Sequence, residues 1–408
     1  MQNRIRTGLD NFLAAPPPAV RGVRLGLLMN QASVNHEFRY ACDLLDEKLP
    51  GQLRVLFSPQ HGFWGEQQAN MIESPDTRYA PLDLPVHSLY AETRRPADSM
   101  LADIDCLVID LQDVGTRVYT FVWTMLECLH ACARNHVRVV VLDRPNPLGG
   151  AVVEGPMLEN SFRSFVGGSE IPLRHGLTIG ELAQLLNTEE HIGAELTVVP
   201  MSGWDRSMLF PNTGLPWVPP SPNMPRWQTA VLYPGQVLLE GTSLSEGRGT
   251  TMPFEIVGAP ALNPDQFLAA IRPHEHPGVG LQALRFQPTF DKWKHQTCGG
   301  LGIHILDAAA IRSVQLTIIM IAAARQLSPQ EFSWLHPPYE YENIKPPIDI
   351  LFGSDRLRTH LSAGAPLGPD ELIDLISYDE EDWRDRISQH LIYEGRGLNT
   401  DPSDSVSG

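Results

Sequence analysis

The sequence predicts an α/β protein: a parallel-sheet domain over residues 1–260, then a smaller α+β domain over 261–396 and a disordered tail over 397–408. Two observations carry this. Short, continuously apolar, β-prone runs recur through the first half with helical patterns between them, and after Pro260 the alternation gives way to longer helices with fewer strands. Val23 to Met29, Leu53 to Phe57, Ile104 to Ile109 and Val137 to Leu142 are apolar throughout or nearly so, the mark of strands buried on both faces. Between the last two, Val122, Met125, Leu126, Leu129 and Ala133 place one apolar face on a helix over Thr120 to Asn135. Strand, helix, strand in that order requires a parallel crossover. A second helix starts at Thr178, where Glu181 three residues on completes a capping box, and Leu196 to Val199 follows as a strand. Pro211 to Pro225 holds six prolines in fifteen residues, which excludes helix and central strand and predicts a long loop. Beyond residue 260, helices are expected at Pro264 to Ile271, Ala309 to Arg325 and Pro369 to Tyr393, with strands near Leu281 to Phe286 and Leu301 to Ile305.

With 408 residues the chain can bury a large core. Acidic residues outnumber basic ones 48 to 31, a net charge of −17, which disfavours nucleic acid or an anionic membrane as partner. A few local arginines still permit an anionic small substrate. The longest apolar runs, such as Ile318 to Ala324, fall far short of the roughly 20 residues that span a bilayer. The first residues lack the continuous apolar stretch of about 7–15 residues that export requires, so the expected location is cytoplasmic. Five cysteines, an odd number set mostly in apolar runs, read as reduced buried thiols.

In parallel sheets the ligand crevice lies outside the carboxyl ends of the strands, and those ends are polar here. Ser58-Pro59-Gln60-His61-Gly62-Phe63-Trp64-Gly65-Glu66 follows one strand, Asp110-Leu111-Gln112-Asp113-Val114-Gly115-Thr116-Arg117 a second, and Asp143-Arg144-Pro145-Asn146 a third. Arg174-His175-Gly176, Pro220-Ser221-Pro222-Asn223 and the run from Glu240 to Thr251, with Glu246 and Arg248, add further polar loops. Despite the Rossmann-like pattern, neither GxGxxG nor GxxxxGK[ST] occurs, which argues against a nucleotide cofactor. No clustered ligand spacing points to a metal, and no GxSxG elbow to a serine hydrolase. Tryptophans at 64, 123, 204, 217 and 227, beside a carboxylate-rich rim, suit carbohydrate chemistry.

SPQHGFWGE, DLQDVGTRVYT, LDRPNPLGG, EGPMLE, SFVGGSEIPLRHGLTIGELA, GLPWVPPSPNMP, EGTSLSEGRGTTMPFE, FQPTFDKWKHQTCGGLGIHI and PPIDILFGSDRLR resemble, in order and over nearly the whole chain, the exo-β-N-acetylmuramidase family of peptidoglycan glycosidases. The resemblance implies a Rossmann-like N-terminal domain, a smaller C-terminal domain and a cleft between them. It also implies release of N-acetylmuramic acid (MurNAc) from non-reducing ends of peptidoglycan fragments, so that the partner is a small MurNAc-containing muropeptide or disaccharide; with neither ligand clusters nor a dinucleotide fingerprint present, no cofactor or metal is expected. Two departures stand out. Many members carry Glu where this chain has Gln60, and many are exported.

Glycoside hydrolysis needs one group to protonate the leaving oxygen and another to stabilise or attack the oxocarbenium-like centre. With an amide at position 60, Glu66 or Glu73 is expected as the acid and Asp113 or Asp143 as its partner, the substrate's own acetamido group being an alternative nucleophile. Arg117, Arg144 and Arg248 are the expected anchors for the lactyl carboxylate. Gln60, His61, Asn146, His175, Asn223 and Glu246 are expected to bind the sugar. The competing reading is a non-catalytic muropeptide-binding protein, which a cleft without a carboxylate pair would favour.

Overall fold

The computed structural model describes residues 4–68, 71–364 and 367–395; the expected tail from 397 to 408 lies outside them. Its centre is a seven-stranded sheet made from β1 (Leu25–Met29), β2 (Leu53–Ser58), β3 (Thr77–Tyr79), β4 (Leu84–Ser88), β5 (Cys106–Asp110), β6 (Arg138–Leu142) and, after two strands described below, β9 (Leu196–Val199). The order is β3-β4-β2-β1-β5-β6-β9, parallel throughout except for the β3–β4 pair. The apolar runs are explained by the two-sided burial they predict. Leu107, Ile109, Val139 and Val141 face one core, with the helices Phe121–Arg134 and Ile179–Glu189. Cys106, Val108, Val140 and Leu142 face the other, with Gly8–Ala14 and Ala41–Lys48.

From β1 the chain moves outward to β2 and β4, then re-enters beside β1 as β5 and continues the other way to β6 and β9. The order therefore reverses between β1 and β5, where open α/β sheets bind ligands. The helix at Thr178 has the predicted capping box: Glu181 N donates to Thr178 Oγ1 at 3.2 Å and Thr178 N to Glu181 Oε2 at 3.0 Å.

β7 (Glu154–Met157) and β8 (Pro172–Arg174) form a short antiparallel ribbon. The second sheet is antiparallel, β10-β12-β11, from β10 (Ile256–Ala259), β11 (Val279–Phe286) and β12 (Cys298–Ile305), with the helix Pro264–Ile271 packed on it and Ser313–Leu327 packed on that helix. Its strand β10 lies ahead of the expected boundary at 260 and pairs Ile256 to Ala259 with Gly302 to Gly299. The helix Trp227–Gln236, hidden in the sequence by Pro234 and Gly235, also packs against Ser313–Leu327. Gly235 is needed there: a Cβ would fall 1.8 Å from Ser313 O. The expected helix from Pro369 to Tyr393 is two helices, Pro369–Ile376 and Glu380–Ser388, the second started by Asp379 accepting from Asp382 N at 2.9 Å. A single apolar core cluster runs from one face of the central sheet into the second sheet's helices, so the two parts meet through packed side chains.

The proline loop contains only a 3-10 turn, Phe210–Thr213, and is fastened over the end of β1, where Asn30 Nδ2 donates to Pro220 O at 2.7 Å and Gln31 Nε2 to Pro219 O at 3.0 Å. Among the described residues, no helix is long and apolar enough to cross a membrane.

Candidate active site

Above the carboxyl end of β2 and the start of the helix Phe121–Arg134 lies a narrow cleft, roofed by the proline loop and closed by residues of the second half. Gln60 and His61, Thr120, Asn223, Glu240 and Arg248, and Tyr339 and Glu340 all line it. Residues more than 200 positions apart thus share one wall.

Glu340 enters on a tight hairpin. Tyr339 and Glu342 exchange backbone hydrogen bonds of 2.9 Å each, and the two residues between them have φ of 45° and 67°. This is the backbone of a type I′ turn, which ordinarily uses Asn-Gly. Glutamate and tyrosine there cost about 1–2 kcal/mol each, strain of the kind that collects at functional sites. The carboxyl is then held from two sides: Gln60 Nε2 donates to Oε1 at 3.0 Å and Tyr90 Oη to Oε2 at 2.6 Å. The Gln60 amide is itself oriented, because Thr120 Oγ1 donates to its Oε1 at 2.5 Å. Burial pushes Glu340 up to about 7; the bonds from Tyr90 and Gln60 oppose the rise and the nearby Glu240 charge adds to it.

Glu240, in the 3-10 turn Val237–Gly241, is the second cleft carboxylate. Arg248 Nη2 donates to its Oε1 at 2.7 Å and Tyr339 Oη to its Oε2. Arg248 lies over the Phe254 ring, 5.0 Å from its centroid, and its Nε is 3.3 Å from Glu246 Oε1. Glu246 is anchored in turn by Lys292 Nζ at 2.8 Å. Arg248 Nη1 is buried with no hydrogen-bond partner in the protein, a donor left over on the cleft wall.

His61 sits beside Gln60 with a φ of 74°, its Nδ1 2.7 Å from Gln67 O. A carbonyl accepts only, so Nδ1 carries the proton and Nε2 is an acceptor. Burial pulls the ring down to about 4, and it is neutral at neutral pH.

The structure gathers Gln60, His61, Asn223 and Arg248 of the expected residues at this cleft, with Glu246 directly behind Arg248. The others lie elsewhere. Glu66 and Glu73 are solvent-exposed and do not line the cleft, and Glu66 Oε2 accepts from Trp64 N at 3.1 Å. Asp143 is a buried cap, accepting from Gly180 N at 2.8 Å, Thr178 Oγ1 at 2.8 Å and Tyr393 Oη at 2.6 Å; burial raises it to about 7. Asp113 accepts from Gly115 N at 2.6 Å, with His175 Nε2 3.5 Å away, in a buried knot under the rim. Asn146 bonds Leu177 O and Leu148 N. Arg117, fully buried, donates to the carbonyls of Pro156, Ile171, Leu351 and Phe352, stitching the two halves together. Arg144 clasps Asp110 with bonds of 2.5 and 2.7 Å. Asp143, Asp113 and Asn146 thus serve as caps and turn braces, and Arg117 and Arg144 as internal ties.

Glu340 and Glu240 were not among the expected residues. Glu240 opens the polar run from 240 to 251, but the expected carboxylates lay nearer the strand ends; Glu340 belongs to HPPYEYEN, which follows no predicted strand. Its one signal is a glutamate between two tyrosines in a proline-bounded segment. Among the described residues, no group of three His, Cys, Asp or Glu side chains is arranged to hold a metal ion.

The N-terminal model of the exo-β-N-acetylmuramidase NamZ family matches residues 25–228 and its C-terminal model residues 231–393. The chain is 40% identical to the peptidoglycan β-N-acetylmuramidase NamZ of Bacillus subtilis over 365 residues, 88% of this chain and 85% of that protein. Crystal structures of two DUF1343 family proteins from Bacteroides fragilis are similar along their whole length. One has a TM-score of 0.86 at 31% identity, covering 96% of this chain and 99% of its own; the other has 0.74 at 27% identity, covering 97% and 100%.

Proposed function

The chain belongs to the exo-β-N-acetylmuramidase NamZ family, and we propose that it hydrolyses the glycosidic bond of MurNAc at the non-reducing end of peptidoglycan fragments. The observation that carries this reading is the unlike carboxyl pair: Glu340 with its proton retained to about 7, and Glu240 ion-paired to Arg248 in the same cleft. A buried carboxyl that keeps its proton, beside a second one ion-paired to an arginine, is how one site supplies both acid and anion. Glu340 protonates the leaving oxygen. Glu240 supplies negative charge to the oxocarbenium-like centre, while water or the substrate's acetamido group attacks. Gln60, Thr120 and Tyr90 are positioning residues, acting through Glu340.

Arg248 Nη1 takes the lactyl carboxylate, the group that distinguishes MurNAc from GlcNAc. His61 Nε2 and Asn223 accept or donate to sugar hydroxyls. All five cysteines are buried free thiols, which fits a reducing compartment and action on fragments already inside the cell. The test is turnover of a chromogenic MurNAc glycoside against its GlcNAc analogue: MurNAc is expected to be preferred at least tenfold, and equal turnover or none at all overturns the reading.

A further inference from the structure

On the far side of the Glu340 hairpin from the cleft is a second, more open cavity of about 440 Å³. Among the described residues, Glu340 alone lines both. The partition is a two-sided wall: Tyr339 and Val166 face the inner cleft, while their neighbours Tyr341 and Phe165 face the outer cavity. Tyr341 and Phe165 form a three-ring cluster with Tyr90, with centroid separations of 5.5, 5.8 and 6.2 Å, and Tyr90 is the residue that bonds Glu340 Oε2. The Arg94 guanidinium lies 3.9 Å from the Tyr341 ring centroid and holds that ring in place.

A general acid must stand between the sugar it releases and the group that leaves. Given the hydrolase reading, on which this inference rests, the geometry points to the outer cavity as the leaving-group subsite, taking a saccharide ring whose apolar face packs on Phe165 and Tyr341. The inner cleft, much the narrower and closed by Glu240 and Arg248, takes the single terminal sugar. The asymmetry accounts for exo action: the cleft is walled off behind Glu340, and a chain of any length extends in front of it. The same hairpin that carries the acid carries part of the platform, so leaving-group binding and acid placement are coupled through one strained turn.

The test uses Phe165→Ala and, because position 341 has a positive φ that Asn tolerates, Tyr341→Asn. Each is assayed on a MurNAc–GlcNAc disaccharide and on MurNAc β-fluoride, whose leaving group has no ring. The ratio of kcat/KM for disaccharide to that for fluoride is expected to fall at least tenfold in both variants, and the inhibition constant for free GlcNAc to rise by a similar factor. An unchanged ratio, with wild type active, overturns the subsite alone. A wild type inert on both substrates overturns the hydrolase reading and the subsite with it.

Discussion

Gln60 Nε2 lies 3.0 Å from Glu340 Oε1, a contact spanning 280 residues of sequence. It gives the amide at position 60 a task suited to an amide: it donates to a carboxyl whose proton is retained by burial, while Thr120 fixes which end of the amide faces that carboxyl. Substituting Gln60→Glu would put two carboxyls 3.0 Å apart, and such a pair shares one proton. The alkaline limb of kcat/KM is therefore expected to move to higher pH in this variant. A limb that stays in place would separate position 60 from the acid.

In the wild type the same limb should fall near pH 7. The reaction needs Glu340 protonated, so activity is present below about 7 and is lost as pH rises through it. A pH profile of kcat/KM flat from pH 6 to 9 would contradict this.

Glu340 also makes stability depend on pH. Its folded carboxyl titrates near 7 against an ordinary 4.5, so the folded state holds the proton more tightly than the unfolded chain. The stabilisation is complete below pH 4.5 and is lost as pH rises through 7, on the order of 3 kcal/mol. Glu340→Gln keeps the shape and removes the ionisation. Relative to wild type it should gain stability between pH 5 and pH 8, read from urea midpoints. An equal difference at the two pH values would show that the carboxyl does not titrate in this window.

Arg248→Lys keeps a positive charge beside Glu240 and Glu246 but loses the guanidinium fork. Turnover of MurNAc glycosides should drop about 10- to 100-fold in kcat/KM, with a much smaller change for any residual GlcNAc activity. Parallel losses on both sugars would place the lactyl carboxylate elsewhere.

The sheet was readable because strands buried on both faces must be apolar throughout, and because the helix at Thr178 announces itself through its own side chains. The polar rim at the strand ends was readable for the same reason, since a parallel sheet has one functional edge. What could not be read was which polar residues face the cleft. Asp113, Asp143, Arg117 and Asn146 have the composition of a site, yet each spends its hydrogen bonds on backbone, caps or the junction between halves. Glu340 was illegible for the opposite reason: its turn has a positive φ at two residues that disfavour it, and local sequence preference points away from that conformation. Only the fold, by bringing residue 340 against residue 60, supplies the constraint.

The most direct test of the central claim compares two leaving groups in wild type and Glu340→Gln: the sugar oxygen of a MurNAc–GlcNAc disaccharide, which must be protonated to depart, and dinitrophenolate, which need not be. If Glu340 is the general acid, the variant should lose about 10² or more in kcat on the disaccharide and less than tenfold on the dinitrophenyl glycoside. Equal losses on the two substrates, or full activity on the disaccharide, would contradict the assignment.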